Sequence, residues 1–268
     1  MHSIPAHTFY TEQAIDIFPA WSTVYKELDI YRQQLIDGAY NEDYPPDIVY
    51  DETWPFIYVH HFLDYDNHPY FYGLNGTGIY IPLITSNYVE SAYEKAMAYW
   101  EGWTLNGVYH PGAIELYLGT GLPYPDKITA YEYIGRISHL IKDMLTPAHT
   151  HSDMHGILID DDEFEEVFEP GIDPKTGRPR YEKYDESSAV WAYWRDYIGN
   201  RNVIDLAELF TKINNHTDYF PSDDYEGDVE NFSNPWNIPK LYRSDILYYD
   251  FLGIDHYKLP GMQNMADW

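Results

Sequence analysis

Apolar and polar residues alternate along most of this chain with the period of a helix rather than a strand. The segment "HTFYTEQAIDIFPAWSTVYKELDIYRQQLIDG" carries apolar residues at helical spacing, is broken near Pro19, and has Gly38 as its stop signal. "NYVESAYEKAMAYWEGW" predicts a second helical region, with Asn87 as cap and Glu90 three residues on. The strongest pattern is "DKITAYEYIGRISHLIKDML", where Asp126 follows Pro125 and Ile128, Ile134, Ile137, Ile141 and Met144 form an apolar stripe. "SSAVWAYWRDYIGNRNVIDLAELFTKINN" reads as helix interrupted near Gly199. Between these lie loops: "YNEDYPPDIVYDETWPF", and "HHFLDYDNHPYFYGLNGTGIYIP" with a short hairpin expected at "NGTG". "DDDEFEEVFEPGIDPKTGRPRYEKYDE" is an acidic, turn-rich insertion, and the tail after His216 reads as irregular and aromatic. Neither a repeat nor a linker divides the pattern. The expectation is a mostly α fold, a single domain of packed helices over residues 1–268 with long loops.

Composition narrows the chemistry. The formal net charge is −28, which argues against a stable nucleic-acid complex formed through a broad basic face. A phosphate substrate remains possible, because bound cations can reverse the local sign. The absence of cysteine excludes disulfides, thiolate zinc sites and cysteine nucleophiles together. No apolar run reaches the length of a membrane span. The opening "MHSIPAHTFYTEQAIDIF" is polar from its second residue and has no signal-peptide pattern, so the chain is read as intracellular or as a mature form. The 29 tyrosines and 8 tryptophans suit broad amphipathic surfaces.

Within the strongest helix, "HLIKDMLTPAH" places His139 and Asp143 four residues apart, on one helical face about a turn from each other. Pro147 ends the helix or follows its end, and His149 lies just beyond, able to fold back towards the same face. Imidazole and carboxylate side by side are ligands of the zinc type. Taken alone, the stretch reads rather as an ordinary His–Asp helix pair on a solvated face, followed by a loop histidine. The other histidines shift the balance: His2 and His7 at the start, His60 and His61 before an Asp-rich loop, and His149, His151 and His155 after the best helix. Asp43 sits in a further acidic loop. Ligand types gathered from several segments of a helical chain suggest a multinuclear site. His60, His68, His110, His216 and His256 are read as ordinary surface or core histidines.

These segments resemble, in order, the motifs of the bacterial zinc-dependent phospholipase C family, which shares its fold with the fungal single-strand nucleases. "HTFYTEQAIDIF" resembles the opening His-plus-helix motif, "GAYNEDY" the aspartate loop, and "HHFLDYDN" the His-Phe-x-Asp segment. "YIGRISHLIKDMLTPAH" resembles the signature helix, His-x3-Asp-x5-His. The resemblance covers the first 165 residues and implies three Zn2+ ions in a cleft. Asp43, His61, His139 and Asp143 would hold one. His7 and Asp143 would hold a second with the backbone of the N-terminal residue, here His2 where the family normally has tryptophan. His149 would hold the third with Asp161 and Glu165, His151 and His155 being alternatives to Asp161.

The resemblance also implies an activity. Asp43 would accept a proton from the attacking water, and Tyr44 and Tyr58 would flank a quaternary ammonium head group. The expected function is hydrolysis of phosphatidylcholine-like phospholipids by a secreted enzyme in transient contact with a membrane surface. A single-strand nuclease or nucleotidase of the same fold, or a non-catalytic metal-stabilised binding protein, is the alternative.

Overall fold

One helix organises the chain: α6, Lys127–Asp143. In the computed structural model the described residues are 4–52, 56–63, 74–75, 89–150, 205–217, 247–249 and 255–257. Ahead of α6 come α1 (Ile4–Asp16), α2 (Thr23–Ile30), α3 (Arg32–Asn41) and a 3-10 turn (Phe56–His61). They are followed by α4 (Ala92–Glu101), the hairpin strands β1 (Gly102–Leu105) and β2 (Val108–Pro111), and α5 (Ala113–Leu118). After α6 come α7 (Pro147–Thr150), α8 (Leu206–Thr217) and two short strands, β3 (Leu247–Tyr249) and β4 (Asp255–Tyr257). The described residues are mostly helical, as the periodicity predicts. None of their helices is long and apolar enough to cross a membrane.

Asp126 starts α6 by accepting hydrogen bonds from the Thr129 N–H at 3.2 Å and the Thr129 hydroxyl at 2.8 Å. This satisfies one of the orphan donors of the first turn. The expected stripe is only partly inside. Ile137 and Met144 are buried, and Leu140 joins them in a core with Leu63, Tyr99 and Phe210. Ile134 and Ile141 are half-buried at the core margins, and Ile128 is 61 % exposed. Much of the buried surface of α6 is instead polar: Arg136, His139, Lys142 and Asp143. Apolar periodicity finds the side that packs on hydrocarbon and is blind to one that packs on charge.

Gly38 does not stop α3, which runs on to Asn41. It marks a helix crossing. A Cβ on Gly38 would collide with the Glu132 carbonyl of α6, and a Cβ on Gly135 would collide with the Leu35 carbonyl of α3. Both glycines are required for the two backbones to touch, as small residues are wherever helices approach this closely.

Other boundaries also move. The break near Pro19 is present, and α2 restarts on Ser22, whose hydroxyl accepts from the Tyr25 N–H at 3.0 Å. The capping box of α4 is built by Ser91 and Glu94 rather than Asn87 and Glu90. Asn87 is outside the described residues. The helix ends before Trp103, because Gly102 turns the chain at φ 105° into β1. β1 and β2 pair from Gly102↔Pro111 to Leu105↔Val108. The turn between them is Asn106-Gly107, both at positive φ (51° and 79°), the geometry that Asn-Gly favours in tight hairpins. The tail after His216 is not wholly irregular, since β3 and β4 pair antiparallel. The expected break at Gly199 lies outside the described residues, as does most of the "NGTG" hairpin.

Candidate metal centre

Four segments deliver buried histidine and aspartate side chains to one place beside α6. His139 and Asp143 stand a turn apart on α6, both fully buried. α1 contributes His7, whose ring stacks on His139 with centroids 3.6 Å apart. The turn after α3 contributes Asp43, carried in by the glycine crossing. His61 comes from the end of the 3-10 turn.

His139 Nε2 lies 3.3 Å from Asp43 Oδ1 and 3.4 Å from Asp143 Oδ2. Asp143 divides its oxygens: Oδ1 is 3.3 Å from His7 Nε2, while Oδ2 is 2.8 Å from His61 Nδ1. Two groups follow, His7–His139–Asp143 and Asp43–His61–His139, and within each the candidate ligand atoms lie within 4.8 Å of one another. Nitrogen and oxygen donors in a closed, buried set could hold a metal ion.

The rings are oriented from behind. His139 Nδ1 lies 2.7 Å from the Ala39 carbonyl, to which it donates, so Nε2 is turned to the carboxylates. His149 Nδ1 likewise donates to the His61 carbonyl at 2.8 Å. Such backbone acceptors fix the tautomer of a metal-binding imidazole. His149 is also clamped through its own carbonyl, which accepts from the Leu63 N–H at 3.0 Å, and by the Phe62 ring stacked at 4.4 Å. It sits in the short helix α7, buried against residues 61–63, and belongs to neither group of three.

Burial and mutual charge shape the protonation. Burial and the nearby Lys95 hold His61 well below the usual histidine range. Burial alone would lower His139 too, but Asp143 and Asp43 lift it to about 9. Burial lifts Asp143 to about 7, against the pull of His139. Buried Lys142 drops to about 7 by desolvation, while its Nζ donates to the His7 carbonyl at 2.5 Å and to Thr11 Oγ1 at 2.6 Å. Two carboxylates this deep call for positive charge, and a proton or a metal ion can supply it.

Tyr44 is 43 % exposed next to Asp43 and stacks on Tyr40 at 4.9 Å, their hydroxyls 2.9 Å apart. Tyr58 falls in the 3-10 turn, but its side chain is outside the described residues. His2, Asp161, Glu165, His151, His155 and His68 are outside them as well. His60 is buried, stacked on Tyr50 at 4.0 Å with Nδ1 2.9 Å from the Glu90 carbonyl, and His110 stacks on Trp103 at 5.1 Å.

Sequence reasoning missed the charged residues packed around the cluster: Glu42, Lys95, Asp47, Arg136 and Lys142. A signal existed for Arg136, which precedes His139 by three residues and so shares its face. Nothing in the sequence marks Lys95, which sits mid-helix in α4. No protein-family model matches the chain, and no curated protein matches it.

Proposed function

We propose that the protein is a zinc-dependent phosphodiester hydrolase with the phospholipase C and single-strand nuclease type of fold. The observation that carries this reading is the burial of Asp143 with one oxygen towards His7 and the other towards His61. A carboxylate so placed can bridge two ions, which a neutral imidazole cannot. On this reading His7 and Asp143 serve one ion, with the backbone of His2. Asp43, His61, His139 and Asp143 serve the second. His149 serves the third, with Asp161 and Glu165, or His151 or His155 in place of Asp161.

Bound zinc would supply neutralisation of the phosphodiester charge and a nucleophile available at neutral pH. The chain's own residues do the rest. Asp43, within reach of His139, accepts the proton of the attacking water. Ala39 and His61 hold their partner rings through backbone carbonyls. Tyr44, braced by Tyr40, offers an exposed aromatic face beside Asp43, and Tyr58 is its expected companion. Each such face attracts a quaternary ammonium by roughly 0.5–2 kcal/mol, which favours phosphatidylcholine-like lipids. The same face could stack a nucleobase, so nuclease activity is the second reading.

The test pairs metal counting with turnover. Total metal analysis and anomalous scattering at the zinc edge should find zinc at the two groups. Phosphatidylcholine vesicles should be hydrolysed faster than single-stranded DNA. Faster cleavage of the DNA would favour the nuclease. Bound zinc with no turnover of either substrate would leave a metal-stabilised binding protein.

A further inference from the structure

Holding an ion does not account for the charges packed beneath the cluster. Lys95 is fully buried, its Nζ 2.6 Å from Glu42 Oε1 and 2.6 Å from Asp47 Oδ2. The other oxygen of Glu42 accepts from the Tyr99 hydroxyl at 2.7 Å and from Arg136 at 3.0 Å. Arg136 also donates to the Asn41 carbonyl at 3.1 Å. Burying ions is costly, and well-packed apolar residues are often at least as stabilising in their place. Fold stability alone is therefore a weak reason for this network.

The network meets the metal centre at two points. Glu42 is the chain neighbour of Asp43, so a pinned Glu42 fixes the backbone that presents Asp43. The second point is His61. Its Nδ1 faces Asp143 and Asp43, while its Nε2 lies 3.4 Å from Lys95 Nζ and 4.0 Å from Glu42 Oε1. With Nδ1–H donated to Asp143, Nε2 accepts from Lys95. With Nδ1 on a cation, the ring hydrogen sits on Nε2 and needs an acceptor. An ammonium is donor-only and cannot serve. The carboxylate facing that nitrogen is Glu42.

Resting on the metal-centre reading above, we propose that Glu42 is a positioning residue of the centre. It is the outer carboxylate that receives the His61 Nε2 hydrogen when Nδ1 holds a cation. Lys95, Arg136 and Tyr99 hold that carboxylate in place.

Calorimetric titration with Zn2+ alone tests this on the full chain, with thermal melts run in parallel. Glu42→Gln should bind Zn2+ about 10–100-fold more weakly, the usual cost of losing an outer-shell partner. Glu42→Gln combined with Arg136→Met removes one charge of each sign and leaves the buried Lys95–Asp47 pair intact. It should recover the melting temperature but not the affinity, and it carries the test if the single variant does not fold. Glu132→Gln, at the solvent-facing end of Arg136, should bind as the wild type does. If the double variant regains wild-type affinity, the network serves charge balance only and the proposal is overturned. If the wild type itself takes up no Zn2+, the metal-centre reading fails, and the role of Glu42 falls with it.

Discussion

His139 and Leu140 are consecutive on α6 and both fully buried, yet they face interiors of opposite kind. Leu140 packs with Met144, Tyr99 and Phe210, where contact area and shape are what matter. His139 enters a space filled by His7, Asp43, His61 and Asp143, where every group depends on a particular partner. In the first region one hydrocarbon can stand in for another at modest cost. In the second, removing one partner leaves a buried charge uncompensated, which is far more damaging. The comparison separates stability from chemistry by residue: the apolar side should govern folding, and the polar side should govern ion binding.

The sharpest way to break that division is Asp143→Asn. It removes the charge facing both His7 and His61, and Zn2+ uptake at both groups should be lost, as read by total metal analysis after dialysis. Full zinc content in this variant would show that the two groups do not share Asp143. On the apolar side, Phe210→Ala should cost about 3–5 kcal/mol by urea unfolding, with zinc affinity of the folded protein unchanged. Weakened affinity there would mean that the two interiors are one mechanical unit.

Gly135→Ala probes their seam. Its methyl meets the Leu35 carbonyl, and overpacking of this kind costs about 1–3 kcal/mol. Because α3 leads into the turn that holds Asp43, this variant should lose stability and zinc affinity together.

A smaller effect is expected from pH. The folded values of Asp143, about 7, and His139, about 9, both lie above the unfolded values of 3.8 and 6.5. Their contribution to stability is complete below the unfolded values and is lost as the pH rises through the folded ones. Lys142, lowered from 10.5 to about 7, gains stability as the pH rises above 7 and offsets part of this loss, so chelator-treated protein should melt only modestly lower at about pH 9 than at about pH 6. Saturating zinc should remove most of that difference, since the ion replaces the protons. An unchanged melting temperature across this range would mean that the cluster is not as closed as its burial indicates.

How much of this was legible beforehand differs by element. α6 was readable because its signals are local: a capping Asp126, a helical period, and His139 and Asp143 at the spacing that puts both on one face. The Asn106-Gly107 hairpin is equally local, but the helical pattern of α4 runs on through Gly102 in the sequence and masks it. The cap lies at Ser91, four residues after Asn87, because two successive Asn/Ser-to-Glu spacings, Asn87–Glu90 and Ser91–Glu94, compete there and only the packed helix selects one.

The sequence by itself determined the helical class, the candidate ligand types and their order along the chain, because residue chemistry and short-range spacing are written into it directly. Only the tertiary structure decided that Gly38 is a crossing point and not a helix stop. It also decided that Asp143 turns its two oxygens to different histidines, and that Glu42 and Lys95 lie beneath His61. Those facts depend on segments tens of residues apart being held against one another. The physical cause is close packing in three dimensions, where a missing Cβ at Gly135 and another at Gly38 let two backbones meet. No periodicity along the chain records where that meeting takes place.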